Sequence, residues 1–269
     1  MKLVLAVTLA SCFSLLGSIT SVMAESRQQT ATERSNSLPQ SKPLATTSRK
    51  EPLRLVLPPL PPGQPPGGRR YGGARRGTCP VGNPALTALV PLTEQPTSIM
   101  NVWGLTTVER PTFWFYTPYA KGSSYPADFM LLDEESNPIY RQDIVLPNEP
   151  GVISVSLPTT APKLSLGKQY RWFFNVYCEN RKQQAPIYVE GVIQRVNLKP
   201  AIAHQLQQAQ PRQQVAIYAS NGIWHEALTT LAQLRQNNPQ DATLQQEWQN
   251  LLTFVGLDDI AAKPFVLNN

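Results

Sequence analysis

The sequence predicts an all-β sandwich of immunoglobulin-like type followed by a small α-helical, tetratricopeptide-like layer, an α+β chain overall. Three observations lead there. Between residues 79 and 196 short apolar stretches are separated by turn residues such as Pro118, Gly122, Pro126, Pro147, Pro158, Gly167 and Pro186. In Val152-Ile153-Ser154-Val155-Ser156-Leu157 apolar and polar residues alternate, the period of a strand with one wet face. Beyond Pro200 the apolar period lengthens to about 3.6, that of an amphipathic helix.

The expected strands are 87–92, 102–108, 112–117, 128–133, 139–145, 152–157, 169–178 and 188–196, each ended by a turn residue. Tyr170, Trp172, Phe174, Val176 and Cys178 form one inward line on the seventh of these. No tryptophan follows Cys79 at the short spacing of antibody domains, so the architecture is predicted and the topology is not. Thr112-Phe113-Trp114-Phe115-Tyr116-Thr117 breaks the alternation, being aromatic on both faces. Phe113 and Phe115 are assigned to the core. For Trp114 and Tyr116 two readings stand: a surface platform on which a sugar or peptide stacks, extended by Tyr119 and Tyr125, or a second face covered by the helices that follow.

Ile202, Leu206 and Ala209 mark a first helix, and Pro211 opens a second with Val215, Tyr218 and Ala219. The third runs from Ile223 to Asn237 with Trp224, Ala227, Leu228, Leu231 and Leu234 as its stripe. Asp241 is the expected N-cap of the fourth, which carries Leu244, Trp248, Leu251, Leu252 and Val255 and stops at Gly256. Gly222, Trp224, Ala227 and Pro239 are spaced as in a tetratricopeptide unit. A solenoid needs about three repeats and only one is present, so the unit is expected to dock on the sandwich.

The N-terminal third differs in composition. Lys2, the apolar stretch Leu3 to Leu16, and the small residues Val22 and Ala24 form a signal-peptide pattern over 1–24, with the mature chain beginning at Glu25. Two alternatives stay open: a retained anchor, and lipidation at Cys12 within Leu9-Ala10-Ser11-Cys12. Residues 25–78 hold ten Arg or Lys against three Glu, a local charge of +7 in a chain of net +6; with Lys2 set aside, 79–269 carries −2. The basic balance therefore belongs to an arm. Its first half is polar and aperiodic, its middle has seven prolines between 52 and 66, and its end interleaves Arg69, Arg70, Arg75 and Arg76 with glycine and Tyr71. It is expected to be disordered, with a polyproline spacer. Gly/Arg segments bind single-stranded RNA, but export redirects the four arginines to anionic polysaccharide or headgroups, or leaves them as a solvated linker; no nucleic acid partner is expected. The domain reading is thus 1–24 signal, 25–78 arm, 79–198 sandwich and 199–269 helical region. No mature segment reaches the roughly 20 apolar residues of a membrane span.

Cys79 and Cys178 survive removal of the signal, an even count that suggests a disulfide in an oxidising compartment, against the alternative of two separate thiols. His204 and His225 are not spaced as metal ligands, and nucleophile-elbow, phosphate-loop and zinc-spacing motifs are absent. Asp133-Glu134-Glu135-Ser136-Asn137-Pro138 has the composition of an ordinary hairpin turn as well as of a weak calcium loop. No catalytic residue, cofactor or metal is assigned.

Gly72 to Cys79, Leu86 to Pro91, Pro111 to Tyr119, Pro150 to Pro158, Tyr170 to Cys178, Gly191 to Arg195 and Gly222 to Leu228 together resemble the cyanobacterial family catalogued as domain of unknown function 928, over about 67–267. The resemblance implies an exported, envelope-associated protein with no established activity, sometimes encoded near surface-adhesin or secretion components. It carries no catalytic residues. The expectation is an exported, non-catalytic binding or scaffolding protein of the periplasm or extracellular face, recognising an envelope protein or glycan; the alternative is a hydrolase acting on an envelope polymer, which requires paired acids in a cleft.

Overall fold

In the computed structural model, which describes residues 53–73, 80, 82–94, 99–178 and 185–266, the strands are β1 (Thr87–Ala88), β2 (Leu92–Glu94), β3 (Met100–Thr106), β4 (Thr112–Thr117), β5 (Ala127–Leu132), β6 (Pro138–Ile144), β7 (Gly151–Ser156), β8 (Gln169–Val176) and β9 (Ile187–Arg195). They form two sheets, neither closed into a barrel: a three-stranded one in the order β1-β4-β7 and a six-stranded one in the order β2-β3-β9-β8-β5-β6. All pairs are antiparallel except β3 with β9, which run parallel from Trp103 opposite Val192 to Thr106 opposite Arg195. The expected strand 87–92 is in fact two, because the chain leaves one sheet after Ala88 and enters the other at Leu92. Pro91, which has no N–H to give a ladder, lies at that crossing.

The period-two rule explains the first core. Phe113, Phe115, Ile153 and Val155 of the small sheet meet Phe129, Leu131, Trp172, Phe174, Val189 and Ile193 of the large one, all buried. Phe115 stacks on Phe174 with ring centroids 4.8 Å or less apart, at 4.7 Å, and Phe113 lies 4.8 Å from Phe129. Close packing among β3, β9 and β8 within the large sheet requires Gly191, opposite Trp172 in the ladder, where a Cβ would come 2.4 Å from the indole.

Five helices follow: α1 (Pro200–Gln208), α2 (Pro211–Ser220), α3 (Trp224–Asn237), α4 (Ala242–Phe254) and the one-turn α5 (Asp258–Ala261). Pro200 and Pro211 occupy first-turn positions, where the missing N–H costs nothing. Asp241 caps α4 as expected, its Oδ1 accepting from the Thr243 N–H at 2.8 Å and the Leu244 N–H at 3.2 Å. A second core lies between the helices and the outer face of the small sheet: Leu89, Trp114, Tyr116 and Val152 from the sheet meet Trp224, Leu228, Leu231, Trp248 and Leu251. The small sheet is therefore the middle of three layers, apolar on both sides. Among the described residues no helix is long and apolar enough to cross a membrane.

Part of the expected arm is built into this body. Residues 53–73 run as a strap, whereas 25–52 and 74–78, like the signal pattern and Cys12, lie outside the described residues. Leu53, Leu55 and Leu57, alternating at period two, pack against the helical core, and the Val56 N–H donates to the Ala219 carbonyl at 3.0 Å. Farther on, Arg69 exchanges two backbone bonds with Glu190 of β9, at 2.9 and 2.8 Å, and Tyr71 bridges Thr87 of β1. Gly68, immediately before these ties, has φ +122°, and a Cβ there would meet the Glu190 carbonyl at 2.9 Å. Fixing the strap costs chain entropy; partly burying three leucines and satisfying the free end of β9 offsets it.

Candidate functional site

The residues expected to bind a ligand are mostly structural. Trp114 and Tyr116 are each only 4 % exposed, so no stacking platform is open there. The Trp114 indole N–H donates to Thr229 Oγ1 at 3.0 Å, and its ring meets Phe265 edge-on. Burial pushes the Tyr116 phenol upward in pKa, Asp259 adding to the effect. Tyr119 is buried against the sandwich core, its hydroxyl donating to the Pro80 carbonyl at 3.0 Å, and its pKa is raised to about 12 chiefly by burial. Tyr125, half-buried, meets it edge-on at 5.8 Å.

The first arginine pair is bound as well. Arg70 is 6 % exposed and donates through Nη1 to the Val255 carbonyl and through Nη2 to Tyr71 Oη and, at 3.1 Å, to the Gly256 carbonyl. It thus satisfies orphan carbonyls and the negative dipole end of α4, a structural task rather than a polyanion contact. Arg69 lies half-buried with its guanidinium 4.7 Å from the centroid of the Tyr188 ring. Arg75 and Arg76 lie outside the described residues.

Of the expected Cys79–Cys178 pair, Cys178 is disulfide-bonded, and Cys79 lies outside the described residues. Cys178 sits two residues past the end of β8.

A cavity that none of these residues lines lies at the far end of the large sheet. A cleft of about 400 Å³ opens between strap residues Pro62 to Pro66 and the β5–β6 turn, floored by Gln169, Tyr170 and Arg171 of β8. A neighbouring recess of about 210 Å³ shares Asp133, Glu134, Gln169 and Tyr170 and adds Ser165 and Lys168. Arg171 fixes the strap wall by donating to the Pro66 carbonyl at 2.7 Å. In the turn Asp133 accepts from the Asn137 N–H at 2.8 Å and from its side-chain amide at 3.1 Å. Glu134 pairs with Lys168 at 2.6 Å and accepts from the Gln169 N–H at 3.0 Å.

These contacts decide the cleft's chemistry. The hydrogen bond from Lys168, then that from the Gln169 N–H, hold Glu134 below the usual carboxylate range, and the Asn137 N–H does the same for Asp133. Both acids are anions at neutral pH, and neither is poised as the protonated partner that glycosidic cleavage needs. The same engagement uses the oxygens that a calcium ion would take, and among the described residues no group of three or more His, Cys, Asp or Glu is placed to hold a metal. What the cleft offers is a fixed set of donors and acceptors: the carboxylates, the amides of Gln64 and Gln169, the Ser136 hydroxyl and the Arg171 guanidinium. Sequence reasoning reached only the turn, because its other walls come from the strap and β8.

Two titratable residues lie between layers rather than in a cleft. His225 is 3 % exposed, with Nδ1 3.4 Å from the Thr112 carbonyl and Nε2 without a partner. Glu226 Oε1 accepts from Thr106 Oγ1 and from the N–H groups of Thr107 at 3.1 Å and Val108 at 3.3 Å. Desolvation lowers His225 from 6.5 to about 4, the Thr112 carbonyl pulling weakly the other way; desolvation raises Glu226 despite its hydrogen bonds. The signs follow by linkage. The contribution from His225 is present above pH 6.5 and lost as pH falls through about 4. That from Glu226 is present below its ordinary value of 4.5 and lost as pH rises through its raised folded value. Denaturant midpoints measured from pH 7 to pH 4 are therefore expected to fall less steeply in His225→Leu than in the wild type; parallel curves would show that the imidazole is not buried neutral.

The sequence profile of a family described as Domain of Unknown Function (DUF928) matches residues 71–265. No curated protein matches the chain. No solved structure matches it either.

Proposed function

We propose that this chain, which belongs to the DUF928 family, is an exported, non-catalytic binding and scaffolding protein of the cell envelope whose polar cleft takes a glycan. Export rests on the charged, apolar and small-residue pattern of residues 1–24. Recognition rests on the cleft between the strap and the β5–β6 turn. Its hydrogen-bonding groups are held in place by Arg171–Pro66, Glu134–Lys168 and Asp133–Asn137 before any ligand arrives. Preorganised polar groups suit a hydroxyl-rich ligand, since little ordering remains to be done on binding.

Within this reading the two-sheet body keeps its immunoglobulin-like description, supported by its mostly antiparallel pairing and its core between two sheets. The tetratricopeptide-like description of α2 and α3 is supported by the tight turn at Asn221 to Ile223 that joins them. The hydrolase alternative gains nothing from the cleft, whose carboxylates are both held ionised.

The test is calorimetric titration of the purified chain with oligosaccharides released from the envelope. Saturable binding is expected, weakened about fivefold by Gln169→Ala through loss of one hydrogen bond, with no new reducing ends formed. Absence of binding by every glycan fraction, or steady release of reducing ends, would overturn the reading.

A further inference from the structure

A second concavity, of about 470 Å³, lies on the helical layer, away from the polar cleft, and is lined by Arg235, Gln236, Pro239, Phe265 and Val266. That size falls within the roughly 300–1,000 Å³ of pockets that hold small ligands. Its one formal charge is unusual in its surroundings. The Arg235 guanidinium lies 4.9 Å from the centroid of the Phe265 ring and 5.3 Å from that of Trp248, and it donates through Nη2 to Gln245 Oε1. Its Nη1 is buried without a hydrogen-bond partner. The ion pairs among the described residues are all made by other cations, so this guanidinium has no carboxylate. Burial accordingly pulls its pKa down with no acid to restore it. An arginine keeps its charge in proteins, and a half-buried fork with a spare N–H and no anion is complementary to a carboxylate.

The adjoining wall supplies a second feature. Phe265 pairs in parallel with Val152 at the edge of the small sheet: the Val152 N–H donates to the Pro264 carbonyl at 2.8 Å, and the Val266 N–H donates to the Val152 carbonyl at 3.0 Å. In a parallel bridge the flanking residues turn their polar groups to the partner strand and the central residue turns its own away. The N–H and C=O of Phe265 have no hydrogen-bond partner among the described residues. This is an open strand edge beside an apolar trough, the arrangement used by proteins that bind extended peptides by strand addition.

We propose that this groove binds the carboxyl terminus of a partner polypeptide whose last side chain is apolar. Arg235 takes the terminal carboxylate, Phe265 pairs with the peptide backbone, and Pro239 and Val266 contact the terminal side chain. A fatty acid has the carboxylate but nothing to pair with the Phe265 edge. The inference goes beyond the glycan reading and uses none of the residues of the polar cleft.

The experiment is titration of the purified chain, followed by calorimetry and by tryptophan emission, with an acetylated pentapeptide ending in Val-Leu as the free acid and as the C-terminal amide. The free acid is expected to bind saturably and the amide at least about tenfold more weakly, the loss of one charge-assisted contact. Arg235→Gln should bring the acid to the level of the amide. Gln236→Glu, at an exposed position, should weaken the acid about threefold by like-charge repulsion and leave both the amide and the melting temperature unchanged, so the test survives if Arg235→Gln does not fold. Equal affinity for acid and amide, no binding of either, or binding of dodecanoate where the peptide fails would overturn the proposal. Glycan binding persisting alongside such a failure would leave the cleft reading standing, and the reverse result would sink that reading alone.

Discussion

Trp114→Ala is expected to lower the stability of the folded chain by about 3–5 kcal/mol, the range for deleting a large buried aromatic side chain. The indole is 4 % exposed, lies in the core between the small sheet and the helices, meets Phe265 edge-on at 5.8 Å and donates its N–H to Thr229 Oγ1. Truncation leaves a cavity beside Phe265 and Thr229 in a core that Trp248 and Leu251 help to fill. Trp114→Phe keeps most of the buried area and loses the hydrogen bond, so about 1 kcal/mol is expected beyond the change in ring size. Urea denaturation measures both. A ligand platform at the surface would give the opposite pattern, with stability unchanged and binding lost.

Gly191→Ala is the second large effect, about 3 kcal/mol at the upper end of overpacking costs. The new Cβ would stand 2.4 Å from Trp172 Cζ2, 2.7 Å from Val102 Cγ1 and 2.8 Å from the Val102 carbonyl oxygen. Two of these neighbours are core side chains and the third is backbone, so none swings away at low cost. In a chain of this size the melting temperature should fall by about 6–12 °C. Gly122→Ala, where nothing lies within 4 Å of the added carbon, is the matched control and should melt with the wild type. Equal melting of the two variants would mean that β9 and β3 do not approach as closely as the ladder requires.

Much of the fold was legible because its local signals agree with its packing. The aromatic run 112–117 coincides with β4 and splits, as its period demands, into Phe113 and Phe115 for one core and Trp114 and Tyr116 for the other. Asp241 and Gly256 marked the two ends of α4 because each has a local backbone task there. The strap was harder to see. Leu53, Leu55 and Leu57 alternate like a strand, but seven prolines nearby mask the pattern, and the groove that receives them is made by helices more than 150 residues away. Arg70 belongs with arginine-glycine chemistry by composition alone; its partners are backbone carbonyls 185 and 186 residues downstream, and no spacing announces such a tie. The polar cleft fails to appear in the sequence for the same reason. It joins the strap, one hairpin turn and one strand, each ordinary by itself. The parallel β3–β9 pair was equally hidden, since strand order is a long-range property that alternation does not encode.

The three-layer arrangement shields every tryptophan in the chain: Trp103, Trp114, Trp172, Trp224 and Trp248 are all at most 4 % exposed. Acrylamide quenching of native tryptophan emission tests this directly. The arrangement predicts a quenching slope far below that of the same chain unfolded in guanidinium, with no separately accessible fraction. A native slope approaching the unfolded one, or a quenchable fraction near one tryptophan in five, would contradict the sealing of the middle sheet by the helices.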